Sequence, residues 1–143
     1  MKKLLTTIIL LSFICCNMID RDTQFFSTYL KSVFNADVPK SQHKFILVSA
    51  NGCHGCNALI LLHAMLKKDN NSNTYIFSSD VEEGIAKIQD YKNIWLDSSD
   101  KVNRLKFHGG NSCVMYTSSA KIDSIILINV EIVDSMLNSI EER

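Results

Sequence analysis

The run Lys44-Phe45-Ile46-Leu47-Val48-Ser49-Ala50 leads through Asn51-Gly52 into Cys53-His54-Gly55-Cys56. It continues as Asn57-Ala58-Leu59-Ile60-Leu61-Leu62-His63-Ala64-Met65-Leu66. The first part reads as a buried strand and the last as an apolar helix. Two cysteines one helical turn apart stand at the junction. A sulfur at a helix N-terminus lies among unpaired backbone N–H groups and at the positive end of the helix dipole. That setting favours the thiolate, the form that attacks a disulfide. The second sulfur lies close enough to close a ring. Dithiol–disulfide exchange fits this placement better than static cross-linking.

Outward from this stretch, the chain alternates strands and helices. The spacing of Phe25, Phe26, Tyr29, Leu30, Val33 and Phe34 predicts a helix over 24–34, ended by Asp37-Val38-Pro39-Lys40. That helix either packs on the domain or serves as a spacer. After Leu66 come a turn at 69–73, a strand at 74–77, a helix over 81–91 capped by Ser79 or Asp80, and a short strand at 93–97. A short helix at 100–107 ends at Gly109-Gly110. Strands at 112–116 and 121–128 form an antiparallel hairpin, and an amphipathic helix covers 130–142. This order predicts an α/β fold: a central mixed sheet flanked by helices, with an extra N-terminal helix. The helix after Cys53, apolar nearly all round, is expected to be largely buried.

The 143 residues carry 15 basic and 15 acidic side chains. One domain fits that length, and the lack of basic excess gives no footprint for nucleic acid. Lys2 and Lys3 precede the apolar run 4–14 and then Cys15-Cys16. A short basic start and an apolar core too short to span a bilayer describe a secretory signal. A cysteine at its end resembles a bacterial lipoprotein signal, which implies lipidation of Cys16 and a membrane anchor. The expected layout is a signal at 1–15, a tether and helix at 16–40, and the main domain at 41–143. Loss of the signal leaves 13 basic against 15 acidic residues, a net charge of −2. Outside the cytoplasm a Cys-x-x-Cys persists as an exchangeable disulfide.

In element order, and in the position of Cys-x-x-Cys after the first core strand, residues 41–143 resemble the thioredoxin family. The resemblance implies a thioredoxin-like fold with Cys53 as the attacking thiol and Cys56 as the resolving one. It implies a protein or peptide disulfide as substrate, an unidentified redox partner that resets the pair, and no organic cofactor. The segment Leu105–Tyr116 looks like the family's approach to its cis-proline loop, with Ser112 or Cys113 at the proline's place. The only proline is Pro39, Asn51-Gly52 replaces the usual aromatic, and the core strand carries no acid.

Other side chains carry further expectations. A protonated His54 between the sulfurs favours the Cys53 thiolate. Cys113, expected near Cys53, reads as a third thiol able to resolve a mixed disulfide, as a metal ligand, or as a packed strand residue. With His108 the three cysteines suit a four-ligand zinc or copper(I) site. His63 is expected to be a satisfied core histidine and His43 to be solvated. The leading function is a thiol–disulfide oxidoreductase of the cell envelope, facing the periplasm or exterior. The alternatives are a metal-binding thioredoxin-like lipoprotein and a non-catalytic, partner-binding one.

Overall fold

The computed structural model describes residues 21–67, 71–80 and 91–141. The signal, Cys16, the start of the tether and most of the helix expected over 81–91 lie outside the described residues. A helix α1 occupies 21–34. It is followed by β1 (His43–Val48), α2 (His54–Leu66), β2 (Asn73–Ser78) and β3 (Ile94–Asp97). Then come β4 (Cys113–Ser118), β5 (Lys121–Leu127) and α3 (Val130–Glu141). The helix expected at 100–107 is two 3₁₀ turns, Lys101–Arg104 and Lys106–His108. Among the described residues no helix is long and apolar enough to cross a membrane.

The five strands run in the order β3-β2-β1-β4-β5. β1 is parallel to β2, and β2 to β3. β1 is antiparallel to β4, and β4 to β5. Parallel neighbours need a crossover, and α2 supplies it between β1 and β2. β4 and β5 need only a tight turn, made at Ser119 and Ala120, both at positive φ. The strand that hands over to Cys-x-x-Cys is therefore central, with a parallel partner on one side and an antiparallel hairpin on the other. This is the expected α/β arrangement, a central mixed sheet flanked by helices, with α1 as an extra N-terminal helix.

Side-chain alternation along β1 divides the core between the two faces of the sheet. Ile46 and Val48 meet Cys56, Ile60 and Ala64 of α2, Tyr75 and Phe77 of β2, and Val133 of α3. Phe45 and Leu47 meet Phe26, Tyr29 and Leu30 of α1 on the other face, with Cys113 and Met115 of β4. Phe26 and Leu30 are fully buried and Tyr29 nearly so. Burying a large apolar side chain contributes roughly 1.5–3 kcal/mol. Helix α1 is thus packed on the sheet and is not a spacer.

Two expectations are corrected here. Helix α2 buries one side only: Leu59, Leu62, Met65 and Leu66 are exposed. An apolar composition all round therefore overstates its burial, because only the face toward the sheet is covered. His43 is half-buried, not solvated, with Nε2 2.9 Å from Thr74 Oγ1 and its ring against Phe45. His63 is buried and satisfied, with Nδ1 2.7 Å from the Tyr75 hydroxyl.

Candidate redox site

Strand β1 is apolar from Phe45 through Val48, then meets Ser49, a fully buried hydroxyl. The chain turns at once, Gly52 N donating to Ser49 O at 3.1 Å, and re-enters as α2. Cys53 is the N-cap residue, with extended backbone (φ −66°, ψ 115°). Its Sγ accepts the Cys56 backbone N–H at 3.3 Å, so a sulfur replaces the usual capping oxygen. Asn57 N donates to Cys53 O at 3.0 Å and starts the helical ladder.

The two thiols differ in exposure. Cys53 is exposed and Cys56 is buried, and neither is in a disulfide. The Cys56 thiol, its backbone N–H and that of Gly55 converge on the Cys53 sulfur and hold its pKa below the ordinary 9.0. Donation from Cys56 to Cys53 pushes the Cys56 pKa up to about 11, helped by burial and by the negative charges of Cys53 and Asp134. The exposed sulfur is the one disposed to ionise, and the inner one keeps its proton. The side chain of His54 lies outside the described residues; its backbone opens α2.

Ser112 stands beside this turn. It immediately precedes β4, whose first residue, Cys113, pairs with Leu47 of β1. The Ser112 hydroxyl accepts Ser49 N at 3.0 Å and donates to Asn57 Oδ1 at 3.4 Å. Asn57 Nδ2 in turn donates to Ser49 O at 3.1 Å. Ser49, Asn57 and Ser112 are all buried, and each satisfies the others. A hydroxyl thus fixes the loop against the motif, and no cis peptide bond occurs among the described residues.

A second set of hydrogen bonds secures the same turn from the β3 side. Asn103 Oδ1 accepts Ala50 N at 3.2 Å and Ser49 Oγ at 2.9 Å. Its Nδ2 donates to Ser78 Oγ at 2.9 Å, and Ser78 Oγ donates to Asp100 Oδ1 at 2.7 Å. The sequence held a signal for part of this that the motif overshadowed. Ser49 ends an apolar strand and Asn57 opens an apolar helix, so each is a polar side chain with no water to satisfy it. Asn103 gave no such signal, because its contact is made across the fold.

Gly52 explains why no side chain follows Asn51. A Cβ there falls 2.6 Å from Ser112 Oγ, 3.3 Å from Ser49 O and 3.4 Å from Asn57 Oδ1. Gly52→Ala is therefore expected to displace the Ser112 hydroxyl and to cost about 1–3 kcal/mol. In the double variant with Ser112→Ala the obstructing oxygen is gone. Urea unfolding of the four proteins should give a total cost clearly below the sum of the single costs. Additive costs would show that Gly52 and Ser112 do not compete for this space.

Of the three roles expected for Cys113, its position fits the packed strand residue. It is fully buried on the α1 face of the sheet, whereas Cys56, in α2, packs on the opposite face. Burial pushes its thiol up to about 12. Strand alternation is the reason: Ser112 reaches the motif, and the next residue enters the sheet and packs with Leu47. The four-ligand site of Cys53, Cys56, Cys113 and His108 is not assembled. His108 is buried at the end of the second 3₁₀ turn, with Nε2 3.1 Å from Val102 O. Among the described residues no three His, Cys, Asp or Glu side chains group as metal ligands.

No protein-family model matches the chain, and no match is found among the curated proteins. Among solved structures, the chain is similar to the exposed lipoprotein thioredoxin of Streptococcus pneumoniae strain TIGR4. The two share 16% identity at a TM-score of 0.44, over 74% of this chain and 87% of that one.

Proposed function

We propose that this chain is a thiol–disulfide oxidoreductase of the cell envelope, exported and lipid-anchored through Cys16. Its substrates are protein or peptide disulfides, and Cys53 and Cys56 carry the electrons. One observation supports the reading above all: an exposed sulfur caps a helix and receives donors from a buried thiol one turn behind it.

The chemistry follows from that asymmetry. The Cys53 thiolate attacks one sulfur of a substrate disulfide, and the other leaves as a thiolate that takes up a proton. Cys56 then loses its proton and attacks Cys53 Sγ, expelling the second substrate sulfur. The substrate gains two electrons, and the protein is left with a Cys53–Cys56 disulfide. A dithiol partner returns it to the reduced state; the same steps reversed oxidise a substrate dithiol. A protonated His54 adds positive charge at the helix start and favours the Cys53 thiolate.

Alkylation of the reduced protein with iodoacetamide tests the reading. The thiolate is the reactive species, and its fraction rises with pH through the pKa. A lowered pKa therefore moves the rate curve for Cys53 to the acid side of the ordinary thiol value of 9.0. Cys56 should react only as the pH nears about 11, and Cys113 should be protected. Equal, slow labelling of Cys53 and Cys56 would remove the support for exchange chemistry.

A further inference from the structure

Helix α1 begins at a defined place on the sheet. Ile122 N, at the start of β5, donates to Thr23 Oγ1 at 3.1 Å, and Thr23 lies in the first turn of α1. Beside it, Ser119 N and Ala120 N in the β4–β5 turn donate to Lys40 O at 2.9 Å and to Pro39 O at 3.1 Å. The start of α1, the approach to β1 and the β4–β5 turn therefore meet at one end of the sheet. Ser112 and the Cys53 turn stand at the other end, where β1 finishes and β4 begins. The strand from Ser112 to Ser118 puts about 20 Å between the two ends.

Cys16 precedes Arg21, the first described residue of α1, by so few residues that the chain between them reaches at most about 18 Å. A lipid on Cys16 therefore holds the first turn of α1, and with it the β4–β5 turn, close to the headgroups. The side chains at this end suit that neighbour. Arg21, Lys40 and Lys121 are exposed. Phe25, one turn after Arg21 on the same side of α1, is 53% exposed, while the adjacent Phe26 is fully buried. The acids nearby are Asp22, which is half-buried, and Asp123, which accepts Ser118 Oγ at 3.0 Å. Asp37 is paired with Lys31 at 3.5 Å. Basic side chains with an exposed aromatic among them fit anionic headgroups. Lys101, Arg104 and Lys106 form a second exposed basic group, in the 3₁₀ turns at the Cys53 end. The short tether decides between the two groups, because it is attached at the other end.

We propose that the anchored protein docks on anionic lipid headgroups through the surface of Arg21, Phe25, Lys40 and Lys121, with the sheet standing up from the bilayer. This rests on the lipid anchorage through Cys16 proposed above and deepens it. The redox turn is then carried about 20 Å beyond the docked surface. Cys53 opens away from the membrane, toward disulfides of proteins outside the bilayer and not within it.

The test places the mature protein, recovered from membranes, in nanodiscs of phosphatidylglycerol and phosphatidylcholine that carry a gadolinium-chelating lipid. Amide NMR signals close to the headgroups then broaden. The expected result is strong broadening at 21–25 and 119–121, with sharp signals at Cys53, Gly55 and Ser112. Lys40→Glu combined with Lys121→Glu should weaken docking by about 25-fold or more, at about fivefold for each basic residue at an anionic surface. Broadening should then spread evenly over the protein, as it should for the wild type in phosphatidylcholine alone. Unchanged Cys53 alkylation in the double variant reports an intact fold. Strongest broadening at Cys53 or at 101–106 overturns the proposal. So does even broadening of the wild type on the anionic discs, or a selective pattern that survives both reversals. Each of these leaves the anchorage standing. Mass spectrometry of the mature N-terminus reads the anchorage separately: a Cys16 without lipid overturns that reading and this proposal with it.

Discussion

Cys53→Ser is expected to reduce disulfide exchange to the uncatalysed background, read as insulin reduction with dithiothreitol as the electron source. A serine hydroxyl does not ionise near neutral pH, so the donors gathered at the N-cap have no anion to stabilise. The cap itself survives, since serine is a good N-cap residue and its oxygen can accept the Cys56 N–H. Stability should therefore change little while activity disappears, which separates chemistry from folding. Cys56→Ser should fail in a different way. Cys53 still attacks, but no inner thiol releases the product. A mixed disulfide should then accumulate, visible as the added mass of the bound substrate. Cys113→Ala should leave exchange intact, because that thiol lies on the other face of the sheet. Full insulin reduction by Cys53→Ser, or no trapped adduct with Cys56→Ser, would sink the proposed route.

Much of the frame was legible along the chain because it is written in local apolar patterns. The runs at 45–48 and 74–77 and the cysteine-led helix are each short-range signals, and the structure places them where those signals put them. The motif's placement was legible for the same reason: strand, turn and helix start are contiguous. What stayed hidden depends on contacts across the fold. Ser112 and Cys113 are neighbours, and only the register of β4 against β1 decides which one meets the motif. The amphipathic pattern of α1 shows that it has an apolar face and nothing about what that face covers. Asp97 at the end of a strand and Asn103 in a short helix look like ordinary polar residues until the turns after β3 bring them into the same network.

Asp97→Ala should be among the most destabilising single changes away from the cysteines. Asp97 is fully buried at the end of β3 and accepts four hydrogen bonds. Oδ2 takes Val102 N at 2.7 Å and the Tyr29 hydroxyl at 3.1 Å. Oδ1 takes Ser99 Oγ at 2.6 Å and Ser99 N at 3.0 Å. Burial, with the adjacent carboxylate, keeps the Tyr29 phenol protonated and donating. Alanine leaves buried donors without acceptors, which costs more than the hydrogen bonds themselves contribute. A loss of about 3–4 kcal/mol is expected, against about 1 kcal/mol for Tyr29→Phe, which removes one donor and leaves the carboxylate with three. Urea midpoints measure both. The damage should also reach the redox turn, because the loop that Asp97 organises delivers Asn103 to Ala50 N. Amide hydrogen exchange at Ala50 should therefore accelerate in Asp97→Ala and stay near wild type in Tyr29→Phe. A small midpoint shift with unchanged Ala50 exchange would mean that the carboxylate is dispensable and that the turn is held by the Ser49, Asn57 and Ser112 contacts alone.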